Sequence, residues 1–176
     1  MKKILAIGGS NSKDSINKKL AAYAANQIKD SKTIVADLNE FELPLYGVDL
    51  EKETGIPENA MKLNGYLEAV DGIVISMAEH NGSFTAAFKN AIDWLSRIDQ
   101  KVWKDKPMFL MATSPGGRGG ATVLGAAKKS FPFLGGNVIT DFSLPSFYDN
   151  FTAKGLKNEE LNKTLDKKIQ EFQATI

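Results

Sequence analysis

The sequence contains no cysteine and only one histidine, His80. The absence of cysteine excludes disulfides, thiolate metal sites and cysteine nucleophiles, and a lone histidine excludes a metal site built from several imidazoles. An excess of one charge is also missing, because 22 Lys and Arg residues balance 21 Asp and Glu residues, for a net charge of +1. Proteins that bind nucleic acid or a membrane surface usually present a basic face. We therefore expect neither as a partner.

Long hydrophobic runs are absent near the N-terminus. The first apolar run covers only residues 4–7 before glycine follows, which is too short for a signal-peptide core or a membrane span. We therefore expect a cytoplasmic protein. The chain has 176 residues, of which 43% are hydrophobic and 24% charged, as is typical of a soluble globular protein. This length predicts one domain over residues 1–176.

The chain does have a regular alternation of short apolar runs and longer stretches with helical spacing. The predicted strands are residues 4–7, 33–37, 72–77, 107–112 and 137–142. The strands are apolar throughout, which is typical of a parallel sheet covered on both faces. The sequence predicts an α/β fold: a flavodoxin-like, three-layer, doubly wound parallel sheet of five strands in the order 2-1-3-4-5. Residues 38–57 are predicted to be an irregular surface connection.

Three polar turns follow the first, third and fourth predicted strands. The first turn, residues 8–17, has two glycines followed by serine and asparagine side chains. The second, residues 78–83, reads Ala-Glu-His-Asn-Gly-Ser, and the third, residues 113–120, contains four glycines. Turns after parallel strands emerge at one edge of the sheet, and these three strands are neighbours at its switch point. We therefore expect the three turns to converge on one crevice.

The first turn has the features of a site for a phosphate monoester. Free N–H groups and the dipole at a helix start favour an anion, and Ser10, Ser12 and Ser15 supply hydroxyl groups. The turn lacks the lysine of a P-loop and the G-x-G-x-x-G spacing, which disfavours nucleotide hydrolysis and a dinucleotide fingerprint. A simpler interpretation is that Ser15 only caps the helix and that residues 10–14 form an ordinary loop.

The second and third turns leave several roles open. His80 could act as a general acid or base, because a histidine side chain titrates near neutrality. We favour a role in shaping the pocket wall instead, because no Ser–His–acid order is present. The glycines of the third turn permit close approach to a flat ligand. We expect Arg118 to be a solvated loop charge rather than a partner for an anionic ligand.

Two tryptophans outside these turns are candidates for stacking on a flat ligand. For Trp94 we favour packing or a subunit contact over such stacking, and Trp103 is the second candidate.

At these turns the sequence resembles the NADPH-dependent FMN reductase family of flavodoxin-like flavoproteins, whose relatives include azo- and quinone-reducing enzymes. Residues 9–17 resemble the family pattern G-S-x-R-x-x-S-x-N. Residues 78–83 resemble P-E-Y-N-G-S and are followed by Lys-Asn-Ala-Ile-Asp-Trp at residues 89–94. Residues 114–120 match S-x-G-G-x-G-G. The likeness covers roughly the first 140 residues and keeps the strand–turn–helix context of each motif.

The resemblance implies a binding site for FMN. The residues that it predicts to bind the cofactor are Ser10, Ser12, Ser15, Ile16, Asn17, Glu79, His80, Asn81, Ser114, Gly116 and Gly117. In this assignment the first turn binds the phosphate, the second borders the ribityl chain and the ring, and the third lines the ring from the other side. Three positions depart from the family pattern: Ser12 replaces an arginine, Ala78 a proline and His80 a tyrosine.

The function that the resemblance implies is electron transfer from NADPH or NADH, by way of bound FMN, to a small acceptor such as free flavin, a quinone or an azo compound. We assign no catalytic side chain, because the cofactor supplies the chemistry. The family also implies a homodimer or homotetramer.

Three alternatives share the predicted fold. A chain that resembled the flavodoxin-type electron carriers would be acidic and would have a T-x-T-G-x-T phosphate loop. This chain has neither feature. A receiver-like domain requires acidic residues after strand one and an aspartate at the end of strand three, where Gly8, Gly9 and Met77 stand. A flavin-binding sensor without turnover stays open.

Overall fold

A computed structural model describes residues 1–152 and 154–176 of the chain. Its main sheet has five parallel strands in the order β2-β1-β3-β4-β5. The strands are β1 (Lys2–Gly9), β2 (Ser31–Ala36), β3 (Gly72–Met77), β4 (Pro107–Thr113) and β5 (Asn137–Leu144). This order is that of the flavodoxin-like doubly wound sheet. The predicted fold class and strand order are confirmed.

The register of the central strands brings their carboxyl ends to the same level. Gly9 of β1 lies opposite Met77 of β3, and Met77 lies opposite Ala112 of β4. Every residue of β3 is buried, because helices cover both faces of the sheet. The three turns that follow β1, β3 and β4 therefore leave the sheet side by side.

Helices form the two outer layers. They are α1 (Ile16–Asn26), α2 (Val48–Thr54), α3 (Glu58–Glu68), α4 (Ala86–Ile98), α5 (Ala121–Ser130), α6 (Phe147–Asn150) and α7 (Glu159–Gln173). One apolar core joins the sheet to α3, α4 and α5. A second core, on the opposite face, joins it to α1, α6 and α7. This arrangement confirms the predicted three layers. In the described part of the chain no helix is both long enough and apolar enough to cross a bilayer.

Two segments have more regular structure than the sequence pattern predicted. The connection over residues 38–57 contains a 3-10 turn, Leu38–Glu40, and the helix α2, so its description as irregular was partly wrong. The turn after β3 contains a small antiparallel hairpin made of Glu79–His80 and Ser83–Phe84. As a consequence Phe84 precedes α4, which begins only at Ala86.

The two tryptophans pack inside the chain. Trp94 is fully buried, and its indole N–H donates a 2.7 Å hydrogen bond to the carbonyl of Pro44. Trp103 is also buried and its ring lies 4.7 Å from that of Phe131. Burial of both rings confirms the packing role favoured for Trp94 and shows that Trp103 is not placed to stack on a ligand.

Candidate functional site

The three polar turns line one cavity at the carboxyl edge of the sheet. Its volume is about 190 Å³. The predicted site residues that line it are Ser10, Ser12, Ser15, Ile16, Asn17, Glu79, His80 and Ser114. Asn81, Gly116 and Gly117 lie in the same turns, but the cavity lining does not include them. The convergence expected from the strand order is therefore present in the structure.

The start of helix α1 packs tightly against the end of β1. A Cβ atom on Gly8 would lie 2.5 Å from the backbone nitrogen of Lys18 in α1, so only glycine at this position allows the helix to approach the strand this closely. The hydroxyl of Ser15 accepts a 3.1 Å hydrogen bond from the same N–H group, which confirms that Ser15 is the N-cap. The hydroxyl of Ser10 accepts a hydrogen bond from Ser12 N–H at 3.1 Å. These contacts shape the loop ahead of the helix.

Capping by Ser15 leaves part of the helix start available to a ligand. The first N–H groups of a helix have no intrahelical acceptor, and Ile16 and Asn17 occupy these positions at the cavity wall. The N-cap interpretation and an anion site are thus compatible, because the cap hydroxyl satisfies only the N–H of Lys18.

The side chain of Asn17 connects the first turn to the third. The Asn17 Oδ1 atom accepts hydrogen bonds from the Ser76 hydroxyl at 2.6 Å and from Thr113 N–H at 3.0 Å. Its Nδ2 group donates to the Thr113 carbonyl at 3.1 Å. Asn17 is 2% exposed. The amide side chain is therefore committed to holding the start of α1 against the ends of β3 and β4, and a contact of Asn17 with a ligand would use its backbone N–H.

The second turn is a hairpin tied to α5. Asn81 and Gly82 form its tip with φ angles of 52° and 72°, which is the left-handed pair that a tight hairpin turn requires. A carboxylate oxygen of Glu79 accepts a 2.9 Å hydrogen bond from Val123 N–H in the first turn of α5. A negative charge at this position also interacts favourably with the helix dipole. Glu79 thus fixes the hairpin relative to the third turn, while His80 is exposed.

The third turn combines a fixed end and an open end. Gly119 has a φ of 58°, and a Cβ atom there would lie 2.5 Å from the hydroxyl of Ser143, so this position requires glycine. At Gly117 a Cβ atom would meet no heavy atom within 4 Å. The guanidinium of Arg118, which is exposed, donates a 2.9 Å hydrogen bond to the Thr122 hydroxyl. The glycines at the open end leave the backbone accessible to a flat ligand.

A fourth segment, which none of the three sequence motifs covers, also reaches the cavity. The N–H of Ser146 donates to the carbonyl of Gly116 at 2.9 Å, and the N–H of Phe147 donates to the carbonyl of Ser114 at 3.0 Å. These bonds hold α6 beside the third turn, and Tyr148 lines the cavity. The position of this segment after a strand of the same sheet was the one available signal, because its residues match no motif.

The charged residues that line the cavity are both acidic, Asp14 and Glu79. The amine of Lys18, in the first turn of α1, instead forms an ion pair with Asp37. Burial raises the pKa of Asp37, but hydrogen bonds from Lys18 and Asn39 lower it more, so its pKa lies below the ordinary value. Within the described residues no cluster of His, Asp and Glu is suited to a metal ion.

A larger cavity of about 540 Å³ adjoins the first turn at Asn11. Its walls come from the connection after β2 and from the start of α4, including Ala86 and Asn90. Leu45, at its rim, is 82% exposed. The candidate site is therefore bordered by open, partly apolar surface.

The fold and the cavity at the switch point define a flavodoxin-like α/β protein. Residues 2–149 match the model of the family described as NADPH-dependent FMN reductase. The chain therefore belongs to the NADPH-dependent FMN reductase family.

Known proteins of related sequence and structure agree with this assignment. The chain is 33% identical over 118 residues to a quinone reductase of Escherichia coli, an alignment that covers 67% of this chain and 63% of the relative's length. It is 30% identical to an NADPH azoreductase of a Bacillus species, covering 78% of this chain and 72% of that protein. The structure of FerB, a flavoenzyme NAD(P)H:(acceptor) oxidoreductase from Paracoccus denitrificans, superimposes with a TM-score of 0.79 at 27% identity, covering 99% of this chain and 97% of FerB.

Proposed function

We propose that this protein is an FMN-dependent NAD(P)H oxidoreductase that passes electrons from NADPH or NADH to a small acceptor. The observation that supports this most directly is the convergence of three separated turns, each carrying a motif that resembles the family, on one cavity. Turns on opposite sides of the molecule would have contradicted it. The names of the Escherichia coli and Bacillus relatives favour a quinone or an azo compound as acceptor, and free flavin is a third candidate.

The first turn fits the phosphate group of FMN. Ile16 and Asn17 present backbone N–H groups at the start of α1, and Ser10, Ser12 and Ser15 supply hydroxyl groups around them. Oriented N–H groups at a helix start are a favourable environment for a phosphate. In this proposal the phosphate is bound by hydrogen bonds rather than by a lysine or arginine, since the cavity lining has neither.

The second and third turns fit the ribityl chain and the ring. In this proposal Glu79 and His80 border the ribityl chain and the ring by their backbone, Asn81 follows them at the hairpin tip outside the cavity lining, and the Glu79 carboxylate keeps the hairpin in place. Ser114 borders the opposite side of the cavity, and Gly116 and Gly117 continue the third turn outside the cavity lining. An added Cβ atom would meet no heavy atom within 4 Å at Gly117 and only the Ser114 hydroxyl oxygen, at 4.0 Å, at Gly116, so a flat ring has room to approach the backbone there. When bound there, FMN would supply the redox chemistry of electron transfer from NADPH or NADH to the acceptor.

The role of the chain's own residues is to bind and orient the cofactor and to leave its ring accessible. His80 is exposed at the cavity rim, where it borders the space that an acceptor must enter. We assign it a role in shaping this entrance and assign no side chain a proton-transfer step.

The test is a visible absorption titration of the purified protein with FMN, followed by NADPH and NADH oxidation in the presence of a quinone, an azo dye or riboflavin. We expect a bound-flavin spectrum and acceptor-dependent turnover. A protein that leaves the absorption spectrum of added FMN unchanged would contradict the proposal. FMN binding without direct oxidation of NADPH or NADH would instead favour an electron carrier or a sensor.

We further propose that the protein is a homodimer or homotetramer. Leu45 and Val48 are 82% and 55% exposed on the segment that borders the larger cavity, and exposed apolar surface of this kind is typical of protein contacts. Sedimentation velocity at micromolar concentration tests this, and a single monomeric species would contradict it.

A further inference from the structure

Tyr148 lines the same cavity as the first turn, although no motif of the sequence includes it. The side chain is 67% exposed. Among residues 1–152 and 154–176 its hydroxyl has no hydrogen-bond partner within the chain. An exposed aromatic side chain with an available donor at the mouth of a cavity is suited to contacting a ligand.

Aromatic contacts link Tyr148 to Tyr23 of α1, the helix whose N-terminus carries the proposed phosphate site. Phe147 is buried in the core that α1 and the sheet share. Its ring stacks on Phe151 at 4.7 Å, and Phe151 in turn contacts Tyr23 of α1 edge-to-face at 5.5 Å. Tyr148 packs edge-to-face on Phe147 at 5.6 Å. A chain of aromatic contacts therefore connects Tyr148 to α1.

The backbone before Tyr148 is equally well defined. Ser146 has a φ of 45°, a left-handed conformation that a non-glycine residue adopts only when its surroundings hold it there. The hydrogen bonds from Ser146 and Phe147 to the third turn supply that restraint. This turn starts α6 so that Phe147 enters the core while Tyr148 lies at the cavity.

The charges of the cavity indicate what Tyr148 does there. The charged side chains in the lining are acidic. Ser12 stands at the arginine position of the family pattern G-S-x-R-x-x-S-x-N. A phosphate in this cavity therefore depends on N–H and O–H donors, and a phenolic hydroxyl is such a donor. We propose that the Tyr148 hydroxyl donates a hydrogen bond to the phosphate of the bound flavin, so that Tyr148 distinguishes FMN from riboflavin. This inference rests on the proposed function.

The experiment compares Tyr148→Phe with the unmodified protein by titrating FMN and riboflavin separately and following the flavin fluorescence. Loss of a hydrogen bond to a charged group weakens binding by about tenfold or more. We expect that loss for FMN and less than about twofold change for riboflavin, because only FMN carries the phosphate. Tyr66→Phe is the matched control, since Tyr66 is a partly exposed tyrosine whose ring packs on Phe41 away from the cavity.

The outcomes separate this inference from the proposed function. Unchanged FMN affinity in Tyr148→Phe overturns the inference while FMN binding by the unmodified protein stands. An equal loss for FMN and riboflavin also overturns it, because the hydroxyl then contacts the ring or the ribityl chain. Failure of the unmodified protein to bind FMN overturns the proposed function itself. Thermal melting of both variants checks that neither substitution has altered the fold.

Discussion

Replacement of Asn17 by Ala is the sharpest test of how the candidate site is held together. The change removes one side chain that satisfies three buried polar groups: the Ser76 hydroxyl, the Thr113 N–H and the Thr113 carbonyl. These groups lie at the ends of β3 and β4, and Asn17 itself is 2% exposed. Alanine restores none of the three hydrogen bonds.

The expected loss of stability follows from these contacts. A buried donor or acceptor left without a partner costs about 1–3 kcal/mol. The cavity beside Asn17 admits water, which satisfies part of the demand, so we expect a total loss of about 2–4 kcal/mol. For a chain of this length each kcal/mol lowers the melting temperature by about 2–4 °C. The midpoint of thermal unfolding should therefore fall by roughly 5–15 °C.

The assay is urea unfolding together with thermal melting, both followed by circular dichroism. Asn11→Ala is the control, because Asn11 is an exposed asparagine in the same turn, and surface substitutions change stability by less than about 0.5 kcal/mol. A loss below about 0.5 kcal/mol in Asn17→Ala would refute the reasoning. It would mean that the three hydrogen bonds contribute nothing to the folded state.

Asn17→Asp gives the same argument a pH dependence. At this buried position one carboxylate oxygen would keep the hydrogen bonds from Ser76 and Thr113 N–H, while the other would face the Thr113 carbonyl. We expect burial and the repulsion from that carbonyl to outweigh the two hydrogen bonds and to raise the pKa above the unfolded value of about 3.9. A raised carboxyl pKa means that the folded state binds the proton more tightly. The variant should therefore be most stable at low pH and lose stability relative to the unmodified protein as pH rises above about 4. An offset that is independent of pH would contradict this.

Three other substitutions test contacts around the site. In Glu79→Ala the N–H of Val123 loses its acceptor, so we expect a loss of about 1 kcal/mol in urea unfolding. Gly119 has a φ of 58°, and in Gly119→Ala the new Cβ atom would lie 2.5 Å from the Ser143 hydroxyl oxygen. We expect the free energy of unfolding to fall by about 1–3 kcal/mol in the same assay. Asp37→Asn removes the ion pair with Lys18. The pKa of Asp37 is lowered in the folded state, so the unmodified protein loses the stabilisation from this ion pair as pH falls through that pKa. The melting temperature of the variant should therefore fall less than that of the unmodified protein as the pH is lowered.

Each substitution has a matched control. Glu79→Gln keeps an acceptor oxygen and should recover part of the helix cap. Gly117→Ala adds a methyl group in open space and should leave stability almost unchanged. Asp14→Asn removes a carboxylate that is 98% exposed and should not change how the melting temperature falls as the pH is lowered. The reasoning fails wherever a control behaves like its partner.

The sheet order and the three turns were predictable because their signals are local. A continuous apolar run such as Gly72–Met77 identifies a strand buried on both faces, and the structure has that strand with the same bounds. Glycine and short polar residues mark the points where the chain leaves the sheet. Once the strand order was inferred, the convergence of the turns followed from topology.

The missed elements had weaker or ambiguous signals. The helix Val48–Thr54 is framed by Gly47 and Gly55, a boundary pattern that the prolines of the same connection obscured. The hairpin was marked by the dipeptide Asn81-Gly82, which is typical of a two-residue turn. Its strands have only two residues each, too few to produce an alternating pattern.

The sequence by itself determined the layers, the strand order and which turns carry polar groups, because hydrophobic periodicity and turn chemistry act between near neighbours. Only the tertiary structure decided what individual side chains do. Asn17 bonds to Thr113, 96 positions away, and Tyr148 reaches a cavity whose other walls begin at Ser10. Contacts over such separations depend on how packed layers position the strand ends, and no local pattern in the chain records them.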